Sequence, residues 1–303
     1  AIALGTAVYL LFRYVPALDE AGDVLGPVID QVFPITVFLT LFVTFCKVDF
    51  KQMRLHRWHA GVLLAQVAFV GLIMAVAFMV EQQPPMKLLA EGVLTCVIAP
   101  TASAAPVVAG KLGGNISTMT TQTLVSSLLA ALMIPLTFPL LETVVHVTFW
   151  SAFFIILQKI ALVLVLPLVL GGLVQRFMPR FHKAIAAQPN LGFYTWGVSL
   201  SITTGITVKN ILHSEASFWL LLLIAFTSLL MCWVQFGIGR LIGQWLGEEI
   251  NAGQVMFQKN TALAIWVAYM YLNPVASVGA GCYVLWQNII NSLEIYEQRK
   301  AQS

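Results

Sequence analysis

The chain has 303 residues, 59% hydrophobic and only 10% charged, with a formal net charge of +3 and a mean hydropathy of +0.87. A soluble domain carries about 25% charged residues, so this composition excludes a water-soluble fold and specifies an integral membrane protein. The small positive balance requires no nucleic-acid partner.

No shift in composition divides the chain, which predicts a single membrane domain over residues 1–303. A bilayer core of about 30 Å needs roughly 20 apolar residues per helix. On that ruler ten segments follow, at 1–15, 31–47, 59–81, 88–110, 115–141, 147–175, 191–211, 217–245, 252–272 and 275–293. The chain is already apolar at Ala1, so a few native residues are expected to precede it. A removed signal peptide is the alternative, although no small-residue cleavage pattern follows the first segment.

Lys and Arg set the orientation. With the N-terminus inside, 11 of the 16 basic residues fall on the cytoplasmic side: Lys47, Lys51, Arg54, Arg57, Lys111, Arg176, Arg180, Lys183, Arg240, Arg299 and Lys300. Arg13, Lys87 and Lys209 fall outside, and Lys159 and Lys259 fall within segments. The positive-inside rule then places both termini in the cytoplasm. The first outer loop is expected to be acidic, with Asp19, Glu20, Asp23 and Asp30.

Ten segments divide into five plus five, over approximately 1–144 and 145–293, and an odd number per half makes the second half an inverted repeat, as in many secondary transporters. The fourth segment contains "APTASAAPVVAG" (Ala99 to Gly110), with Pro100 and Pro106 in what should be a spanning helix. A proline in a helix interior costs about 3 kcal/mol. The ninth segment contains "GQVMFQKNTALAIW", with Gln254, Gln258, Lys259, Asn260 and Thr261 within eight residues. "TASA" and "TALA" occupy corresponding places in the two halves. A helix broken at the midplane exposes backbone groups that are costly against lipid and useful around a polar cavity. The plain alternative for the fourth segment is a proline kink in which Thr101 and Ser103 bond their own backbone.

Lys259 lies about 10 Å inside its segment at 1.5 Å per residue. A lysine there costs about 2.5–3.5 kcal/mol on insertion scales and marks a site, unless it snorkels to the cytoplasmic face. Lys159 has no polar cluster beside it and reads as interfacial. Polar groups also gather in "LWQNIINS" (Leu285 to Ser292), in "MTTQTLVSS" (Met119 to Ser127) and at Gln66. Cys46, Cys96, Cys232 and Cys282 read as small buried residues, with no disulfide or metal role. Zincin and nucleophile-elbow motifs are absent, Glu91 and Glu142 stand as single acids near the outer face, and no enzyme activity is expected.

Several of these motifs resemble the bile acid:sodium symporter family. "DFK" (Asp49 to Lys51) leads into a third segment carrying Gln66, and "GGN" (Gly113 to Asn115) opens the fifth. "FQKNTALA" is similar to the family's Met-Gln-Asn-Ser-Gly-Leu-Ala, and "WQNIINS" to its Trp-His-Asn-Ile-Ser-Gly. The resemblance implies ten helices in which the fourth and ninth are unwound and cross. It also implies a core of helices 3–5 and 8–10 facing a moving panel of helices 1, 2, 6 and 7.

The family's sodium ions are held by oxygen ligands. Carried over, its ninth-helix Glu is Gln254 here, its ninth-helix Gln is Gln258, and its third-helix Gln is Gln66. The fifth-helix hydroxyls fall on Met119 and Thr123. The fourth-helix Ser–Asn pair becomes Ala105 and Pro106 or Ser103 and Ala104, depending on the alignment. The resemblance therefore implies that the first sodium site is lost. A weak sodium site at Gln66, Gln254 and Gln258 is the most that remains, and no other cofactor is expected. Lys259 takes the place of a crossover Asn, where its ammonium is expected to bond Thr123, Ser103 and freed carbonyls, or to meet an anionic substrate.

The function implied is a secondary active transporter for a small or amphipathic organic anion, working by alternating access in a bacterial inner membrane. Substrate contacts are expected at Thr101, Ser103, Lys259, Asn260, Thr261, Gln287 and Asn288, and the ion site or crossover at Gln66, Thr123, Gln254, Gln258 and Lys259. Proton coupling is an alternative to sodium. A non-transporting receptor on the same scaffold, or a conventional sodium symporter with different ligands, are the other readings. The sequence leaves the oligomeric state open.

Overall fold

The computed structural model describes residues 1–48, 53–142, 148–188 and 190–302, and every regular element among them is helical. The chain runs through α1 (Ile2–Tyr14), α2 (Asp19–Lys47), α3 (Arg57–Met79), α4 (Pro84–Ile98), α5 (Ala105–Lys111) and α6 (Ile116–Leu141). It continues through α7 (Phe149–Ile160), α8 (Leu166–Phe177), α9 (Pro179–Ala186), α10 (Leu191–Leu212) and α11 (Phe218–Leu246). The last elements are α12 (Glu249–Phe257), α13 (Thr261–Tyr271) and α14 (Ser277–Gln302). Residues 49–51, the "DFK" motif, and the boundary between the expected repeats lie outside the described residues.

Among the described residues, five stretches are long and apolar enough to cross a membrane unaided: Glu20–Lys47, Arg57–Met79, Ile116–Leu141, Phe149–Phe177 and Phe218–Leu246. They coincide with the second, third, fifth, sixth and eighth expected segments. The fourth and ninth segments are each split, into α4 and α5 and into α12 and α13.

Two boundaries and one helix interior differ from expectation. Asp19 begins a helix, so Glu20, Asp23 and Asp30 belong to α2 and not to an acidic loop. A carboxylate such as that of Glu20 in a first turn favours the helix dipole, and α2 continues through both Pro27 and Pro34. The stretch at 149–177 contains a π turn at Ala161–Val165 just before Pro167. A π turn accommodates the proline's missing donor and its clash with the preceding turn. The last helix runs nine residues beyond the expected end at 293, because "SLEIYEQRKAQ" is rich in helix formers although no longer apolar.

The helices pack in two sets. In one, α3 packs on α4, α4 on α11 and α14, α11 on α12 and α14, α13 on α14, and α5 on α6 and α12. In the other, α1 packs on α10, α10 on α2, and α2 on α8 and α9, while α7 on α6 and α10 on α13 and α14 join the two sets. Glycine sets the closest approaches in the first set. A Cβ on Gly279 would stand 2.2 Å from the Gly92 carbonyl oxygen, and one on Gly239 would stand 2.5 Å from that of Ala252. All four cysteines are free, three of them buried.

Candidate functional site

The two breaks meet. Residues 100–102 and 258–260 run antiparallel as an isolated bridge between Thr101 and Lys259. Ala102 N–H donates to the Gln258 carbonyl at 2.8 Å, and Asn260 N–H to the Pro100 carbonyl at 2.8 Å. Buried backbone groups must find partners, and side chains supply most of the others. The two N–H groups of Gln66 Nε2 are shared among the carbonyls of Val97, Ile98 and Ala99 at 3.2–3.3 Å, closing the end of α4. Thr101 N–H donates to Ser126 Oγ at 3.0 Å. Tyr283 donates to the Phe257 carbonyl at 2.7 Å and accepts from Gln235. Gln287 holds the Lys259 residue from both sides, accepting from its N–H at 3.0 Å and donating to its carbonyl at 3.4 Å. Asn260 caps α13 by accepting from Leu263 N–H at 3.2 Å, the usual role of Asn at a helix start.

Beside the bridge lies a cavity of about 810 Å³ between the two packing sets. Its lining includes Thr40 and Thr44 of α2, Trp196 and Ser199 of α10, and Ser117, Thr120 and Thr123 of α6. Of the expected substrate residues, Ser103, Lys259, Asn260, Thr261, Gln287 and Asn288 line it, and Asn291 completes their face of α14. Thr101 does not. Its hydroxyl donates to the Val255 carbonyl at 3.1 Å and so ties the bridge to α12.

Of the expected ion residues, Thr123 and Gln258 line the cavity, whereas Gln66 and Gln254 do not. Gln254 has both ends of its amide engaged, donating to Glu294 and accepting from Gln258. Thr123 donates to the Met119 carbonyl at 3.0 Å.

Lys259 is only 1% exposed and lines the cavity. Its expected hydrogen bonds to Thr123, Ser103 and freed carbonyls are not among those formed by the described residues, where its Nζ has no polar partner. Several carbonyls around the crossing are bonded instead by Gln66, Tyr283, Gln287 and the opposing backbone. Lys259 thus lines the cavity with no hydrogen bond from its Nζ to the crossing among the described residues. Lys47 and Lys111 also line the cavity, and no Asp or Glu does among the described residues.

Sequence reasoning missed the acids at both ends of the bundle. Glu91 and Glu142 are not single: Lys87 bridges them, at 3.7 Å and 3.2 Å. Toward the other end, Arg240 pairs with Glu249 at 3.1 Å and with Glu294. Asn251 was also missed; it accepts from Asn115 N–H and donates to Thr118 Oγ1, both at 3.0 Å. Asn291 was legible, since it stands four residues after Gln287, on the same helix face. The other contacts pair residues far apart in sequence and left no local signal.

Taken together, these features define an all-helical polytopic membrane protein built around two interrupted helices and a polar cavity. Residues 34–214, more than half of the chain, match the sodium bile acid symporter family. The chain belongs to that family, which is one of transporters and not of enzymes. Among curated proteins no sequence matches it.

Proposed function

We propose that the protein is a secondary active transporter of a small or amphipathic organic anion, with Lys259 contributing positive charge in the cavity where the family relies on sodium. The observation that carries this reading is the lining: three lysines, one of them buried without a polar partner, and no carboxylate among the described residues. A cleft lined by one sign of charge concentrates the opposite sign, and a buried ammonium without a partner is stabilised by an anion.

Ten spans in two inverted halves fit the element order once α4 with α5, and α12 with α13, each count as one interrupted span. The two packing sets support a core around the crossing and a panel of α1, α2, α8 and α10, with α7 continuing the α8 span and packing on α6. The cavity reaches Lys47 and Lys111, the side that the positive-inside rule assigns to the cytoplasm, which supports a cytoplasm-facing state with both termini inside. A bacterial inner membrane suits that orientation.

The residues do not fit the family's first sodium site. Position 254 is neutral with its amide fully engaged, position 119 is Met, and neither alignment of the fourth helix supplies an Asn. The test is the melting temperature in sodium against potassium and choline at equal ionic strength, for wild type and Lys259→Asn. Ligands that bind only the folded state raise it by mass action. No sodium-specific rise is expected in the wild type. A clear rise there would restore ordinary sodium symport and overturn the assignment of Lys259.

A further inference from the structure

Glu294 sits toward the end of α14, more than 30 residues from the crossing in sequence, yet a short chain of hydrogen bonds connects the two. Arg240 Nη2 donates to Glu294 Oε1, Gln254 Nε2 donates to Glu294 Oε2, and Gln258 Nε2 donates to Gln254 Oε1. Arg240 is itself held by Glu249 Oε1 at 3.1 Å and lies over the Phe236 ring, 4.9 Å from its centroid. Gln254 and Gln258 are four residues apart, so both amides lie on one face.

The direction of this chain is not free. A glutamine amide offers donors at one end and an acceptor at the other, whereas a carboxylate paired with arginine only accepts. Gln254 must therefore turn its NH2 to Glu294 and its oxygen to Gln258. Gln258 must in turn spend a donor on Gln254. Besides a second N–H on the nitrogen already turned to Gln254, Gln258 has left its Oε1, which has no polar partner among the described residues and is not among the sealed, unpartnered atoms. Gln258 lines the cavity, next in sequence to Lys259.

We propose that Glu294 is a positioning residue: through Gln254 it fixes the Gln258 amide so that the cavity gains a permanent hydrogen-bond acceptor in addition to the Lys259 ammonium. The preferred substrate is then an organic anion that also carries a hydrogen-bond donor, such as a hydroxyl. This rests on the reading of the cavity as an anion site. Without Glu294 the two amides can reverse together, and Gln258 can turn its NH2 to the cavity at no loss of internal bonding.

The experiment titrates purified protein in choline buffer with matched carboxylates that differ in one hydroxyl, malate against succinate and lithocholate against cholanate, and reads the rise in melting temperature. Wild type, Lys259→Met, Glu294→Gln, Gln258→Leu and the exchange Gln254→Glu with Glu294→Gln are compared. In the exchange a carboxylate at 254 accepts from both neighbours, so the Gln258 oxygen again faces the cavity. In the wild type the hydroxylated member of at least one pair is expected to bind about tenfold more tightly, the scale of one good hydrogen bond. Glu294→Gln should bring that pair within about twofold, and the exchange should restore the preference, a rescue that general stabilisation would not produce.

If Glu294→Gln does not fold, Gln258→Leu must lose the preference by itself. A preference that survives Glu294→Gln or Gln258→Leu overturns the proposal. So does a wild type that binds both members equally while Lys259→Met abolishes binding, and that result leaves the anion reading standing. If no carboxylate produces a shift that depends on Lys259, the anion reading fails and takes this proposal with it.

Discussion

The two interruptions do the same work for different reasons. The one between α4 and α5 spans residues 99–104 and carries Pro100, with Pro106 in the first turn of α5. The one between α12 and α13 spans only residues 258–260 and contains neither proline nor glycine. The first is written into the backbone: proline cannot donate, and it turns the preceding residue toward an extended conformation. The second is imposed by its surroundings. Lys259 is held extended because Gln287 grips both sides of it and because Pro100 and Ala102 offer the complementary carbonyl and N–H. One broken helix thus serves as the template that keeps the other open. An unpaired backbone group in a membrane interior costs several kcal/mol, so neither break is expected to survive without the other.

Substitutions can weaken this dependence step by step. The largest effect is expected from Gln66→Leu, which leaves three carbonyls at the end of α4 without their side-chain donor. A loss of about 3 kcal/mol, the upper range for orphaned buried groups, should appear as a marked fall in melting temperature. Gln287→Leu should cost about 1–3 kcal/mol. Because it frees the Lys259 residue, hydrogen exchange at residues 258–260 should quicken before that at 99–104, and equal exchange at both would contradict the template relation.

Thr101→Val removes only the bond to the Val255 carbonyl and should cost about 1 kcal/mol while leaving anion binding intact, since Thr101 is outside the cavity. Retained stability with lost binding would return Thr101 to the substrate site. Pro100→Ala is expected to cost about 1 kcal/mol, because it removes the backbone restriction that proline imposes while leaving the Asn260 bond to the residue 100 carbonyl in place. Lys259→Met moves in the opposite direction. Replacing a buried, unpartnered charge with an apolar side chain is commonly neutral or stabilising by about 1–4 kcal/mol, so the melting temperature should hold or rise while anion binding is lost.

Much of this was legible locally. Composition and the spacing of apolar segments give a polytopic helical membrane protein, because the bilayer imposes a length on each span and forbids unsatisfied backbone in lipid. Pro100 and Pro106 announce the first break, and a cluster of amides around a lysine in an apolar helix announces the second. "GGN" is likewise explained by local geometry: Gly113 adopts φ +88° and Asn115 caps α6. Six of the seven expected substrate residues do line one cavity, since each stood at a break or on the single polar face of α14.

Only the tertiary structure decided the partners. Nothing local indicates that Gln66 closes α4, that Thr101 faces away from the cavity, or that Glu294 reaches Gln254 across the bundle. Hydrogen-bond capacity is a property of a residue type, but which capacity remains unspent depends on neighbours brought from distant parts of the chain. Lys259 illustrates this division. Its charge, and the cost of placing that charge within a membrane helix, follow from the sequence. That it lines the cavity with no hydrogen bond from its Nζ among the described residues follows from the packing, which bonds neighbouring carbonyls through Gln66, Tyr283, Gln287 and the opposing backbone.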